Sequence, residues 1–200
     1  MSFLFCLILF FSVSAYAQGT NYIVQPGDNM WKIAVKHQIG LSEIIKANPQ
    51  ITNLALIYPG QEIIIPNLDQ TKNLENEVIR LVNIEREKNG LAPLKANWEL
   101  SRVARYKSLD MAEKNYFSHT SPTYGSPFKM MTDFGLTYYS AGENIAMGQK
   151  TPADVMKGWM NSSGHRANIL NSSYTEIGVG LAINKNGQNY WTQMFMKPRK

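Results

Sequence analysis

The stretch EIGVGLAINKNGQNYWTQMFM, residues 176–196, decides the fold class of this chain. Both halves of it alternate apolar residues with small or polar ones, which is the period of a half-buried β-strand. Asn186-Gly187 lies between the halves, and an Asn-Gly dipeptide flanked by such segments is a strong signal for a β-hairpin. We therefore predict two antiparallel strands joined by a tight turn.

Upstream of this hairpin, apolar residues recur at helical spacing. LENEVIRLVNIEREKNGLAPL, residues 74–94, places them on one stripe with charges opposite, and WELSRVARYKSLDMAEKNYF, residues 98–117, repeats the pattern. Two shorter helical segments are predicted at residues 129–134 and 152–160. Helices that precede a hairpin, without alternating strand-helix-strand units, predict an α+β fold.

The first 17 residues have the pattern of an export signal. FLFCLILFFSV, residues 3–13, is apolar but too short to span a bilayer, and Ala15-Tyr16-Ala17 is a small-x-small cleavage pattern. We predict a signal peptide over residues 1–17 and no membrane span once it is removed. Cys6, the one cysteine of the chain, lies inside it, so the exported protein is expected to fold without disulfides.

The formal net charge is +5, and the excess falls in residues 74–200. A basic exported domain attracts anionic polymers. Together with the export signal, this favours anionic wall polymers as partners and argues against nucleic acid. A modest positive charge is also explained by solubility alone, and the composition does not decide between binding to anionic polymers and solubility.

Residues 21–66 show a plan of strand, helix, helix and strand. YIVQPGDNMWKIA, LSEIIKANP and IYPGQEIIIP occur there in order, each with turn residues at its end. These three motifs resemble a complete LysM module. The resemblance implies a βααβ fold that binds N-acetylglucosamine-rich glycans, in peptidoglycan or chitin, without catalysis of its own. A short polar stretch, residues 67–73, is predicted to be the linker that follows.

In LysM modules the glycan lies between the loop after the first strand and the loop before the last. The resemblance therefore implies that backbone amides of these loops bind acetamido groups while apolar side chains pack on a sugar face. Trp31, just beyond the first loop, is predicted to be a core residue. The glycan-binding residues implied are Gly27, Asp28, Asn29, Met30, Leu56, Ile57, Tyr58 and Gly60.

Three polar residues stand out in turn-rich segments of the remaining chain: His119, Glu143 and His165, the last within GWMNSSGHRANIL, residues 158–170. Two histidines and one glutamate are the ligand count of an open zinc site. Glu143 and His165 are also candidates for catalysis, as a general base and a carbonyl-polarising group. A hydrogen-bond network that holds the loops together is the third interpretation, and the residues alone leave all three open.

Six motifs occur in order in residues 74–200: VNIEREKNGLAPL, FSHTSP, GENIA, GWMNSSGHRANIL, IGVGL and YWTQMF. Together they resemble the CAP superfamily, or SCP-like extracellular domain. The resemblance implies an α-β-α sandwich with a central cleft lined by two histidines and two glutamates. His119, Glu143 and His165 match three of those positions, but Ser162 stands where the second glutamate is expected, three residues after Trp159.

These features predict a secreted protein of the cell wall or spore envelope, which binds peptidoglycan or a chitin-like glycan through its LysM module. The CAP-like domain would present a His/Glu cleft to a ligand, a metal or a partner such as an envelope protein. The alternative is a metal-assisted hydrolase of peptidoglycan or protein. A divalent metal such as zinc is the cofactor implied, and the missing second glutamate favours binding over hydrolysis.

Overall fold

The computed structural model describes residues 19–199, and the chain divides into two compact units after Asn67. The predicted signal peptide, residues 1–17, lies outside the described residues. Among the residues that are described, no helix is long and apolar enough to cross a membrane.

The first unit confirms the predicted βααβ order. Its two strands pair antiparallel, with Thr20 opposite Ile65. The side chains buried between sheet and helices include Val24, Ile33 and Ile44. The elements are β1 (Thr20–Ile23), α1 (Met30–Lys36), α2 (Leu41–Ala47) and β2 (Glu62–Ile65).

Asn48, which the sequence indicates only as a helix stop, fastens α2 to β2. Its buried side-chain amide donates to the carbonyl of Ile44 at 2.8 Å and to that of Ile64 at 2.7 Å. Its Oδ1 accepts from the Ile64 N–H at 2.7 Å. A single side chain thus satisfies backbone groups at a helix end and on a strand.

The second unit contains five helices and four strands among the described residues. The predicted hairpin is confirmed as β5 and β6, and the described sheet has the order β3-β5-β6-β4. The elements are α3 (Asp69–Lys88), β3 (Lys95–Ala96), α4 (Trp98–Lys114), α5 (Pro127–Asp133), β4 (Tyr138–Met147), α6 (Pro152–Asn161), α7 (Ser163–Ile169), β5 (Glu176–Ile183) and β6 (Asn189–Pro198).

This sheet lies between two layers of helices, so the predicted α-β-α sandwich is confirmed. Ile177, Val179 and Leu181 of β5 pack in one core with apolar residues of α3 and α6. The alternate residues of the strand, Gly178 and Gly180, face α4 on the opposite side. The two faces follow from the period of two along a strand.

The two glycines of IGVGL are required by the close approach of α4. A Cβ added to Gly178 would lie 2.3 Å from the backbone nitrogen of Ser101, and one added to Gly180 would lie 2.1 Å from that of Arg105. Neither distance is compatible with a side chain. The motif is therefore a packing feature, with the helix backbone lying directly on the strand.

Two sequence predictions are wrong. The linker prediction of residues 67–73 fails because α3 begins at Asp69, so that only Asn67 and Leu68 precede the helix. Trp31 was predicted to be a core residue, but it is 44% exposed, whereas Met30 beside it is buried. On a helix, neighbouring residues point about 100° apart, so only one of the two can face the sheet.

Candidate functional site

The structure brings His119 and Glu143 together. His119 lies in the loop after α4, and its Nδ1 is 2.7 Å from Oε1 of Glu143 on β4. The Glu143 side chain is 2% exposed, whereas that of His119 is 54% exposed. The second carboxylate oxygen of Glu143, Oε2, is buried without a hydrogen-bond partner among the described residues.

The position of His119 is set by Lys107, a fully buried residue of α4. Its ammonium group donates to the backbone carbonyls of Ser118 at 2.7 Å and His119 at 2.9 Å, and to the Tyr116 hydroxyl at 3.2 Å. A buried ammonium group needs such partners because it has lost its water shell. Lys107 therefore holds the loop that presents the histidine.

One turn further along α4, Asp110 anchors the rest of the same loop. Its carboxylate accepts hydrogen bonds from the hydroxyl groups of Tyr116 at 2.6 Å, Ser121 at 2.7 Å and Thr123. Burial alone would raise the pKa of Asp110, but these hydrogen bonds outweigh it and lower the pKa to about 2. The carboxylate thus stays charged.

Sequence reasoning missed both anchoring residues. The available signal was their place on α4: Lys107 is four residues after Val103 and four before Met111, both of which are buried. A charged residue on an apolar helical stripe is a candidate for a buried, paired group. In the sequence alone, Lys107 and Asp110 look like ordinary charged residues on the exposed face of a helix.

The electrostatics of the pair are dominated by burial. Burial raises the pKa of Glu143, although the hydrogen bond from His119 and the charge of Lys107 oppose the shift. Burial likewise lowers the pKa of Lys107, against the charges of Glu143 and Asp110. Burial thus disfavours the charged form of both Lys107 and Glu143, whereas the opposite charge of each favours the charged form of the other.

His165 lies on α7 and is held there through the backbone. The Asn144 side chain donates to the His165 carbonyl at 3.1 Å, and Asn168 of α7 donates to the Glu143 carbonyl at 3.1 Å. Burial and the neighbouring His119 lower the pKa of the His165 imidazole, which favours its neutral form. The imidazole lines a mostly apolar pocket of about 290 Å³ together with Trp159 and Ile145.

The predicted metal site at His119, Glu143 and His165 stays a prediction. No group of three or more histidine, cysteine or acidic residues within residues 19–199 is placed to hold a metal ion. The bond between His119 and Glu143 uses Nδ1 of the histidine and leaves its Nε2 uninvolved, an arrangement that metal-ligating histidines commonly have. Another carboxylate of this unit, that of Glu176, accepts from the Asn97 side chain at 2.6 Å. Zinc binding by His119, Glu143 and His165 is therefore neither established nor excluded by the positions of these side chains.

In the first unit, the two predicted glycan-binding loops are adjacent. The Val24 N–H donates to the Gln61 carbonyl and the Gly60 N–H donates to the Val24 carbonyl, both at 2.9 Å. Tyr58 is 62% exposed and Leu56 is 53% exposed on the second loop, with Ile57 half-buried between them. These bonds join the end of the second loop to Val24, which precedes the first loop.

Several of the residues predicted to bind glycan have structural roles in the first unit. Asp28 Oδ2 accepts from the Tyr22 hydroxyl at 2.7 Å and the Gln25 N–H at 2.8 Å. Asn29 caps α1 by accepting from the Lys32 N–H. Met30 is 3% exposed, so its predicted packing on a sugar face is corrected to a core role.

Gly27 and Gly60 also serve the fold, since each has a positive φ, of 85° and 87° respectively. Glycine adopts this region without the steric cost that other residues incur. The exposed apolar and aromatic side chains of the predicted set are those of Leu56 and Tyr58, and Ile57 is half-buried.

Comparison with known proteins agrees with the two-unit organisation. The CAP model, the cysteine-rich secretory protein family, matches residues 79–195, and the LysM domain model matches residues 22–66. Over 122 residues the chain is 57% identical to the protein YkwD of Bacillus subtilis, a match that covers 61% of this chain and 46% of YkwD. The chain therefore spans about half the length of this relative.

Two further relatives bear on the two units. An extracellular protein of Bacillus anthracis that contains an SCP domain superposes with a TM-score of 0.59 at 34% identity, covering 70% of this chain and 47% of that one. The spore coat assembly protein ExsA of Bacillus cereus is 44% identical over 46 residues, which are 23% of this chain and 7% of ExsA.

LysM domains bind N-acetylglucosamine glycans such as peptidoglycan or chitin, and the combination of LysM and CAP domains is typical of extracellular or cell-wall proteins. The CAP model covers more than half of the 200 residues, and the sheet, the helical layers and the His119–Glu143 pair all lie within it. The chain therefore belongs to the CAP, or cysteine-rich secretory protein, family and carries a LysM domain ahead of its CAP domain.

Proposed function

We propose that this protein is exported and bound to peptidoglycan through its LysM domain, while its CAP domain presents the cleft at His119 and Glu143 to a ligand. The observation that carries the anchoring role is the exposure of Leu56 and Tyr58 on the second predicted glycan loop, whose end is hydrogen-bonded to Val24 ahead of the first loop. Aromatic and apolar side chains on a rigid loop are suited to packing on a sugar face.

The cell wall and the spore envelope are the two cellular locations that agree with this proposal. The similarity of 46 residues to a spore coat assembly protein supports the spore envelope. The basic charge of the chain supports a surface rich in anionic polymers or envelope proteins.

Sedimentation with purified peptidoglycan sacculi tests the anchoring role. The double variant Leu56→Ala, Tyr58→Ala removes the two exposed side chains and is expected to weaken pelleting by about tenfold or more. Tyr139→Ala is the matched control, because Tyr139 is equally exposed, at 66%, but lies on β4 of the CAP domain. If the double variant pellets like the wild type, the glycan does not bind at these loops.

A hydrolase of peptidoglycan or protein is a second candidate, and one observation favours it. Glu143 is a buried carboxyl group with a raised pKa and an unpaired oxygen, which are properties of a general acid or base. Release of muropeptides from sacculi, or cleavage of casein, by wild type but not by Glu143→Gln would establish hydrolysis. Absence of both products at high protein concentration would leave the domain a binding module.

A further inference from the structure

The second predicted glycan loop, residues 53–60, presents its two exposed side chains from backbone that lies outside the helices and strands of the first unit. Leu56 and Tyr58 pack well on a sugar only if the loop holds them in place. A loop that becomes ordered on binding loses conformational entropy at that moment, which weakens the affinity. The hydrogen bonds that hold this loop in the free protein therefore bear on its affinity for glycan.

Gln61, the residue that follows this loop, holds the backbone of Tyr58 at both of its polar groups. The side-chain Oε1 of Gln61 accepts from the Tyr58 N–H at 3.1 Å, and the Gln61 N–H donates to the Tyr58 carbonyl at 3.0 Å. The Gln61 carbonyl in turn accepts from the Val24 N–H at 2.9 Å. One half-buried residue thus ties Tyr58 to the chain that leaves β1.

The turn at the end of the loop does not depend on the Gln61 side chain. The bond from the Gln61 N–H to the Tyr58 carbonyl closes a four-residue turn with Pro59 and Gly60 at its centre, and Gly60 has a φ of 87°. Proline followed by a glycine with positive φ is typical of the centre of a type II turn. The side-chain bond to the Tyr58 N–H is therefore additional to the turn, and its effect falls on Tyr58.

Leu56 is held by a separate set of contacts. The Leu56 N–H donates to the Asn53 carbonyl, and the Ala55 N–H donates to Asn53 Oδ1, both at 3.1 Å. The two exposed side chains of the loop thus have different supports. A substitution that removes Oε1 of Gln61 frees the Tyr58 N–H and leaves the bonds to Asn53 in place.

We infer that Gln61 is a positioning residue of the glycan site, whose side chain fixes the Tyr58 backbone so that the tyrosine ring is in place before an N-acetylglucosamine oligomer binds. The inference rests on the proposed anchoring of the protein through Leu56 and Tyr58. Gln61 acts through the backbone of Tyr58 and not by contact with the sugar. A tyrosine side chain has only two χ angles, so a fixed backbone leaves little further freedom to be lost on binding.

Two substitutions of Gln61 separate these roles. Gln61→Met keeps the length of the side chain but removes the acceptor for the Tyr58 N–H. Gln61→Glu keeps an acceptor oxygen and replaces the amide nitrogen, so it preserves the support of Tyr58 but removes any hydrogen bond from Nε2 to a sugar. Gln50→Met is the matched control, since the exposed Gln50 side chain bonds Asn48 and not Tyr58.

Calorimetric titration of the full protein with chitotriose, an N-acetylglucosamine oligomer, measures the effect. The affinity is expected to fall about fivefold in Gln61→Met, the equivalent of one hydrogen bond, and to stay within about twofold of wild type in Gln61→Glu and Gln50→Met. In a Tyr58→Ala background, Gln61→Met is expected to change the remaining affinity by less than about twofold, because both substitutions act on one contact. A general loosening of the first unit would instead lower the affinity in both backgrounds.

Hydrogen exchange of the Tyr58 N–H, followed by NMR, tests the same role in wild type alone. In the free protein this N–H is expected to exchange at least about tenfold more slowly than in an unstructured chain. Exchange at the unstructured rate until chitotriose is added would show that the glycan orders the loop, which overturns the inference even where Gln61→Met fails to fold.

Equal affinity of Gln61→Met and wild type also overturns the positioning role, and an equal loss in Gln61→Glu does so by placing Gln61 in contact with the sugar. If Tyr58→Ala weakens the binding of chitotriose but Gln61→Met does not, the anchoring proposal stands and the positioning role fails. A wild-type protein that binds neither chitotriose nor sacculi refutes the anchoring proposal and this inference with it.

Discussion

Asp110 is a charged residue with 6% exposure, and its charge is maintained by hydroxyl donors from one loop. Its pKa of about 2 in the folded protein lies below the ordinary value of 3.8. A lowered carboxyl pKa stabilises the fold above the unfolded value, and this contribution is lost as the pH falls through the folded value. The protein should therefore lose about 2 kcal/mol of unfolding free energy between pH 5 and pH 2 from this group alone.

Asp110→Asn checks this by urea denaturation at a series of pH values. The variant should be less stable than wild type at pH 7, and the difference should shrink toward pH 2. Asp133→Asn, an exposed aspartate of α5, is the control whose difference should stay small throughout. A stability difference between wild type and Asp110→Asn that stays constant from pH 7 to pH 2 would contradict the stabilising role assigned to the Asp110 charge.

At the scale of single residues, the sequence predicted His119, Glu143 and His165 as site residues but did not predict the contacts that hold them in place. Their turn-rich surroundings are local features, whereas the bonds from Lys107 to the Ser118 and His119 carbonyls depend on a fold that brings a helix under a loop. The prediction that Trp31 is buried and that Met30 contacts a sugar failed for the same reason, because burial depends on how the elements pack. Both are apolar, and only the angle of α1 against its sheet decides which is buried.

At the scale of helices and strands, α4 lies directly on β5, and Gly180 makes this close contact possible. With the Cβ position 2.1 Å from the Arg105 nitrogen, Gly180→Ala must push the helix from the strand. We expect a loss of about 3 kcal/mol or more, measured by chemical denaturation. Gly164→Ala, in open space on α7, should instead be neutral or gain up to about 1 kcal/mol. Equal stability of Gly180→Ala and wild type would disprove the close contact.

The longest element that sequence patterns missed is β4, and its position at the edge of the sheet explains why. Its residues, YYSAGENIAM, do not alternate cleanly, and side chains from other segments satisfy its outer carbonyls. Trp159 donates to Ile145, Asn168 to Glu143 and Tyr174 to Ala141, at 3.2, 3.1 and 3.1 Å. The hairpin of β5 and β6, by contrast, follows from local alternation and its turn, which is why it could be predicted.

This covering of the edge predicts an effect of Asn168→Ala. The change removes donors to the Glu143 carbonyl and to Asn144 Oδ1, and leaves buried acceptors unpaired. We expect a loss of about 1–3 kcal/mol in unfolding free energy and self-association through the exposed strand edge. Denaturation and light scattering measure the two effects. Asn161→Ala, an exposed asparagine of α6, should change neither.

The whole molecule joins two units with separate cores, and α3 begins almost at once after the first unit. Glu75 on this helix is buried, and its carboxylate accepts from the Leu181 N–H at 3.1 Å. The early residues of α3 thus support the CAP domain and are not a free tether. Because the boundary lies before Asp69, a fragment that begins at Leu68 keeps the entire helix.

We therefore expect residues 68–200 to fold, with the near-ultraviolet circular dichroism of a packed core, and to lose pelleting with sacculi. Residues 74–200, cut inside α3, should be less stable, because Glu75 then lies in a frayed first turn. The full chain should pellet and should unfold in two transitions, one of which is missing from the 68–200 fragment. Full pelleting by that fragment would place the wall-binding surface in the CAP domain. Loss of its fold would show that the two units depend on each other.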